Sequence, residues 1–257
     1  MVDFVLKVAT SEKQRGACAI VGIFEARKMT ESAKILDKIT QGYLKNILAS
    51  GDMEGKSNTS LLLHNAPGTL FKRILLIGLG KEQDFKEKTY LASITTALNA
   101  LQKTAVAEAM LFLPDYPLNN RNTAWKVMQT AITAGNHQYR FDQLKSKPDV
   151  ETINLKKLTL CIDNRAELAA CEESLKQGIA IAHGMKLTKD LGNLAPNICT
   201  PTYLAKQAKD LAKTHKLKVN VLEEKDMEKL GMGSLLSVAQ GSDQPAKLIV
   251  LEYQGLS

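Results

Sequence analysis

Two runs of almost uninterrupted apolar residues constrain this chain more than any other feature: Ala17 to Phe24 (ACAIVGIF) and Arg73 to Ile77 (RILLI). A strand with one wet face alternates polar and apolar side chains, whereas a strand covered on both faces does not. The runs therefore predict strands buried inside a sheet that carries helices on its two faces, which is the α/β class.

The rest of the chain supplies those helices and further strands. Phe4 to Ala9 reads as a first strand. From Thr30, apolar residues recur at three and four (Ala33, Leu36, Ile39, Tyr43, Leu44, Ile47, Leu48), predicting one amphipathic helix ended by Gly51-Asp52. Thr59 to His64 and Arg73 to Ile77 read as two strands joined by a tight connection through Asn65-Ala66-Pro67-Gly68. A helix at Lys86 to Gln102, a strand at Ala107 to Leu113, a loop at Pro114 to Asn122, a helix at Thr123 to Ala134 with the only tryptophan, Trp125, and a strand at Lys157 to Ile162 complete a first domain, residues 1–162.

Asp163 or Asn164 can cap the next helix, whose apolar positions run from Leu168 through Cys171, Leu175, Ile179 and Ala182 to Leu187. It reads as a connecting helix over residues 163–191. After the loop Gly192 to Thr200, Thr200-Pro201 is a helix start, with a capping hydroxyl and a proline whose missing N–H costs nothing there. That helix carries Leu204, Ala208, Leu211 and Ala212 on one face. A strand (Leu217 to Leu222), a short helix (Glu224 to Leu230), a turn (Gly231 to Gly233) and a strand (Lys247 to Glu252) follow. This order is the start of a doubly wound α/β domain, residues 192–257.

No stretch of about 18 apolar residues exists, which excludes a membrane-spanning helix. Asp3 and Lys7 spoil a signal peptide at the N-terminus. Cys18, Cys161, Cys171 and Cys199 are widely spaced with no C-x-x-C, as expected for free thiols in a reducing cytoplasm. The formal charge is +7, and the whole excess lies in residues 1–160. Such asymmetry can mark a face for nucleic acid, but these lysines are interleaved with acids and apolar residues, and aromatic side chains beside them are too sparse for a stacking platform.

Candidate chemistry is thin. Gly78-Leu79-Gly80-Lys81 follows a strand and precedes a helix, yet the third glycine of a dinucleotide fingerprint would fall at Gln83, and no G-K-[ST] loop exists. The sequence favours a tight strand-to-loop turn there. None of His64, His137, His183 and His215 lies at helical spacing from another, and H-E-x-x-H is absent. His64 reads as a core-edge residue. The densest acidic group, Glu223, Glu224, Asp226 and Glu228, is interleaved with Lys225 and Lys229 and reads as a solvated helix face. No G-x-S-x-G elbow is present, and no local signature supports a Cys-His pair.

The segment Lys189 to Ala205 (KDLGNLAPNICTPTYLA) closely resembles the opening of the catalytic domain of the leucyl aminopeptidase (cytosol aminopeptidase) family. Leu230-Gly231-Met232-Gly233, Ser237 to Ser242, and Leu251-Glu252-Tyr253-Gln254-Gly255 are similar to its next blocks, in order and spacing. The first domain agrees more weakly, at Gly51-Asp52, Gly55-Lys56, Leu75 to Lys81 and Tyr139 to Asp142. The resemblance implies a macro-domain-like N-terminal α/β domain, a connecting helix, and the truncated start of an α/β catalytic domain. It also implies a cytoplasmic, normally hexameric enzyme that removes N-terminal amino acids, often leucine, from peptides with two divalent metal ions, zinc or manganese.

In the family, the lysine of a G-K-G block and the acids of F-D-S-G-G and N-T-D-A-E-G-R blocks hold those metals, all beyond the E-Y-x-G segment. None of these blocks occurs here, so no catalytic, metal or substrate-binding residue is assigned, no metal is expected in this chain, and it is expected not to catalyse alone. Two alternatives stand beside this reading: a basic N-terminal domain that binds nucleic acid, and an oligomerisation module. A physical expectation also follows. The strand Lys247 to Glu252 lacks a flanking sheet and should order only against another chain or the N-terminal domain.

Overall fold

The computed structural model describes residues 2–12, 14–147 and 154–255. The chain divides between Thr188 and Lys189 into two compact units.

The first unit is built on one sheet. Its strands are β1 (Asp3–Val8), β2 (Ala19–Phe24), the two-residue β3 (Lys28–Met29), β4 (Ser60–His64), β5 (Arg73–Gly80), β6 (Glu108–Phe112) and β7 (Lys157–Ile162). They lie in the order β1-β7-β6-β2-β5-β4, with β3 attached to β2. The pairs β1·β7, β7·β6, β6·β2 and β2·β5 are parallel, while β4 and β3 run antiparallel to their partners. The expected α/β class therefore holds, and the first two strands in sequence are separated in space by β7 and β6.

Helices cover both faces, which is why β2 reads as continuous apolar sequence. On one face, Ile20, Leu75, Ile77, Leu111 and Leu160 pack under α3 (Glu87–Gln102), α4 (Thr123–His137) and the start of α5 (Leu168–Asn193). On the other, Ala19, Val21, Ile23, Ile74, Leu76, Met110 and Cys161 meet α1 (Glu31–Ile39) and α2 (Tyr43–Ser50). All six residues of β2 are buried, and each large apolar side chain hidden this way contributes about 1.5–3 kcal/mol.

One helix expected from Thr30 to Leu48 is two. Gln41 (φ 54°) and Gly42 (φ 82°) take left-handed backbone between α1 and α2. The carbonyl of Asp37 accepts the Gly42 N–H at 2.9 Å, and its carboxylate accepts the Lys45 N–H at 2.8 Å. Asp37 thus closes one helix and caps the next. The β4–β5 connection is also longer than a tight turn. It runs through Asn65 (φ 52°) and Gly68 (φ 73°), and the Asn65 N–H meets the Lys72 carbonyl at 3.1 Å.

The second unit contains the end of α5, then α6 (Pro201–His215), β8 (Lys218–Leu222), α7 (Glu224–Lys229), α8 (Gly233–Ala239) and β9 (Leu248–Glu252). Thr200 Oγ1 accepts the Tyr203 N–H at 3.3 Å, so the cap read from Thr200-Pro201 is present. Two expectations are corrected here. The strands β8 and β9 pair antiparallel, Lys218 opposite Glu252 through Leu222 opposite Leu248, rather than starting a parallel, doubly wound sheet. β9 also finds a partner within its own unit, contrary to the expectation that it would order only elsewhere, because β8 pairs with it along its length and α6 packs on both strands. Helix α8 lies where the sequence offered only the turn Gly231 to Gly233 and no regular element after it.

Candidate functional site

The glycines of the Gly78-Leu79-Gly80-Lys81 segment face the chain itself. The Gly78 N–H donates to the Thr59 carbonyl at 2.9 Å and the Gly80 N–H to the Gly55 carbonyl at 2.8 Å. A Cβ at Gly78 would stand 2.0 Å from the Lys56 carbonyl oxygen, and one at Gly80 would stand 2.2 Å from Ser57 Oγ. Gly55 (φ 81°) makes the third close approach, 2.0 Å from a built Cβ to the Phe24 carbonyl oxygen. The loop from Gly55 to Thr59 therefore lies across the carboxyl ends of β2 and β5. These glycines admit that loop, where a dinucleotide fingerprint would admit a pyrophosphate.

The histidines stand apart. His64 ends β4 opposite Arg73. His137 ends α4 with Nε2 2.7 Å from Asn99 Oδ1, and burial together with the neighbouring Arg140 holds its pKa below the usual histidine value. His183 lies on α5 and His215 in the last turn of α6. Burial pushes the thiols of Cys18 and Cys161 up to about 12 and raises that of Cys171. All three stay protonated at neutral pH, which removes them as nucleophiles.

The acidic group of the second unit is spent on structure. Glu223 and Asp226 form a capping box at the start of α7, in which Asp226 Oδ2 accepts the Glu223 N–H at 3.1 Å. Glu224 Oε1 accepts the Ala246 N–H at 2.8 Å, and Glu223 pairs with Lys247. These contacts tie α7 to the residues leading into β9. Among the described residues, no group of three or more His, Cys, Asp or Glu side chains is placed to hold a metal ion.

One cavity escaped the sequence reading. It has a volume of about 400 Å³ and lies between the residues that follow β5 and those that follow β6, with Phe85, Lys86, Lys88, Leu118, Asn120 and Arg121 in its wall. Arg121 Nε donates to Glu87 Oε1 at 2.6 Å, and its guanidinium lies 5.2 Å from the centre of the Trp125 ring. Periodicity gives a helix start at Lys86 and a loop through Asn122, but carries no signal that the two meet.

Fold and site together define a two-unit α/β chain: a large mixed sheet with helices on both faces, then a smaller unit entered through a long helix. The chain belongs to the cytosol aminopeptidase family. Residues 20–148 match the description "Cytosol aminopeptidase family, N-terminal domain", and residues 186–257 match "Cytosol aminopeptidase family, catalytic domain". Among curated relatives, the probable cytosol aminopeptidase of Nitrosomonas europaea is 54% identical over 254 residues, covering 99% of this chain and 51% of the relative. That of Dechloromonas aromatica is 53% identical over 254 residues, covering 99% and 51%.

The chain thus spans about half the length of the curated relatives it matches. A mutant of tomato leucine aminopeptidase shares the fold, with TM-score 0.78 at 22% identity over 98% of this chain and 50% of that one. The bottromycin maturation enzyme BotP in complex with Mn gives 0.68 at 18% identity, over 93% and 45%.

A pair of divalent metals does not fit the residues described. Such a centre needs several carboxylates converging on one point, and the dense carboxylate group of the second unit is engaged in helix capping and in holding the approach to β9.

Proposed function

We propose that this chain supplies the N-terminal domain and the opening part of the catalytic domain of a leucine aminopeptidase. The complete enzyme would release N-terminal amino acids, leucine-like ones favoured, from peptides in the cytoplasm, and would assemble as a hexamer. The observation that carries the reading is the ordered match of both family domains, residues 20–148 and then 186–257. Two divalent ions, zinc or manganese, would supply carbonyl polarisation and an activated water in the complete enzyme. The Mn named with BotP supports a metal-dependent reading.

The contribution of the present residues is architectural. The β1–β7 sheet forms the first domain, α5 leads out of it, and α6 to β9 begin the catalytic part. On this reading the 257 residues do not turn over peptide alone. Neither the family match nor the relatives' names favour the nucleic-acid or oligomerisation alternative.

The test is hydrolysis of a leucyl amide by the purified chain with zinc, manganese or magnesium supplied and bound metal quantified. The expected result is no turnover and no stoichiometric metal. Turnover with retained metal would overturn the proposal, and His64 and the group from Glu223 to Glu228 would then be the first positions to substitute.

A further inference from the structure

The cavity beside the start of α3 serves neither the packing of the sheet nor the peptidase reading. It lies among the residues that follow the carboxyl ends of β5 and β6, the two strands beside β2. The chain leaves β2 toward α1 on one face of the sheet, but leaves the two strands that flank β2, β5 and β6, toward α3 and α4 on the other. Open α/β sheets bind their ligands outside the carboxyl ends of strands where the connections diverge in this way. The gap between β2 and β5 is closed by the Gly55–Thr59 loop, whereas the hollow between the residues after β5 and those after β6 stays open at about 400 Å³, a size that suits a small ligand.

Its lining is chemically one-sided. Buried Phe85 and half-buried Leu118 give it an apolar wall. Lys86 and Lys88 are exposed at its rim, and neither has an acidic partner among the described residues. The one carboxylate in the lining, Glu87, is already neutralised by Arg121. Carboxamides of Gln83, Asn119 and Asn120 supply further donors. An adjoining hollow shares Asn119, Asn120 and Arg121 and reaches Trp125. Beneath both runs a chain of rings, Phe85 to Tyr116 (6.2 Å), Tyr116 to Tyr90 (5.5 Å) and Tyr90 to Trp125 (5.9 Å), which fixes the wall. The field of the α3 N-terminus adds to that of the two lysines.

We propose that this cavity binds a small organic anion, a flat apolar body resting against Phe85 and Leu118 with a phosphate or carboxylate group held by Lys86 and Lys88. The ligand class follows from two ammonium groups, without an acidic partner among the described residues, at the mouth of an apolar slot.

The only tryptophan of the chain, Trp125, borders the adjoining hollow and reports on occupancy. Its fluorescence is followed while the full chain is titrated with phenyl phosphate, benzoate, inorganic phosphate or neutral phenol. A saturable change with phenyl phosphate or benzoate is expected, with half-saturation on the order of 1 mM or below. Phenol should be at least about tenfold weaker, since a charged hydrogen-bonded contact is worth that factor or more. The stronger of the two anions identifies a phosphate ester or a carboxylate as the natural group.

The double variant Lys86→Ala/Lys88→Ala should weaken binding at least about tenfold by the same reasoning, and Lys38→Ala, on α1, should not. Circular dichroism checks the fold of each variant, and Lys88→Gln alone serves if the double variant is unfolded. A non-saturating change, equal binding of phenol and the anions, or unaltered affinity in folded lysine variants would each overturn the proposal.

Discussion

The carbonyl oxygen of Lys56 fills the space beside Gly78, 2.0 Å from where a Cβ would be. That oxygen cannot withdraw cheaply, because it accepts the Thr59 hydroxyl at 2.6 Å while the Gly78 N–H is fixed to the Thr59 carbonyl at 2.9 Å. Gly78→Ala is therefore expected to cost about 3 kcal/mol or more. Gly42→Ala is the comparison. Its backbone is left-handed at φ 82°, but a Cβ there meets open space, so only conformational strain of about 1–2 kcal/mol applies. Urea denaturation of both variants decides; a Gly78→Ala loss no larger than that of Gly42→Ala would refute the close-approach argument.

Asp37 joins α1 to α2 through its carbonyl and its carboxylate. Asp37→Ala removes only the second link, and the loss of the cap on Lys45 N–H should lower stability by about 1 kcal/mol. Asp37→Asn keeps an acceptor oxygen and should recover most of it. If Asp37→Asn is as destabilised as Asp37→Ala, the bond to Lys45 is not what holds the break.

How far the sequence reveals this molecule depends on the range of each interaction. The buried strands were legible because cover on both faces writes itself into a short run such as Ala19–Phe24. The Thr200 cap was legible because its partner, Tyr203, is three residues away. The break at Gln41 and Gly42 was not, because apolar spacing continues unchanged across two left-handed residues. Nor was the antiparallel pairing of β8 with β9, since a strand's direction is set by partners that local pattern does not name. The capping role of Glu223 and Asp226 was half visible: the acidic group reads as a solvated helix face, but the bonds of these two residues at α7 and the link from Glu224 to Ala246, twenty-two positions on, come from the fold. The hollow between Lys86 and Arg121 joins two loops that no periodicity connects.

The acids of the second unit make a prediction that separates capping from metal binding. Glu224→Ala releases the Ala246 N–H and Glu223→Ala loses the α7 cap and the Lys247 pair. Each should cost about 1 kcal/mol and speed amide exchange in β9, with no change in bound divalent metal. Loss of stoichiometric metal in either variant would assign the group a role that its hydrogen bonds do not suggest.

Alkaline pH tests the burial of the core thiols. Cys18 and Cys161 keep their protons in the folded chain up to about 12, against 9.0 for an ordinary thiol, because burial disfavours the thiolate. Between those values the unfolded chain binds fewer protons than the folded one, so stability must fall as pH rises. Their contribution is flat at neutral pH, begins to decline near 9 and saturates near 12, with a slope of at most about 1.4 kcal/mol per pH unit for each thiol. Cys18→Ala lowers stability at every pH by leaving a small void, but it should also flatten this alkaline slope, and the slope is the informative quantity. A thiol reagent at pH 8 should modify half-buried Cys199 in the native chain and reach the three buried cysteines only on unfolding. An unchanged slope in Cys18→Ala would mean that the thiol ionises freely in the fold, contrary to its complete enclosure between β2 and its neighbours.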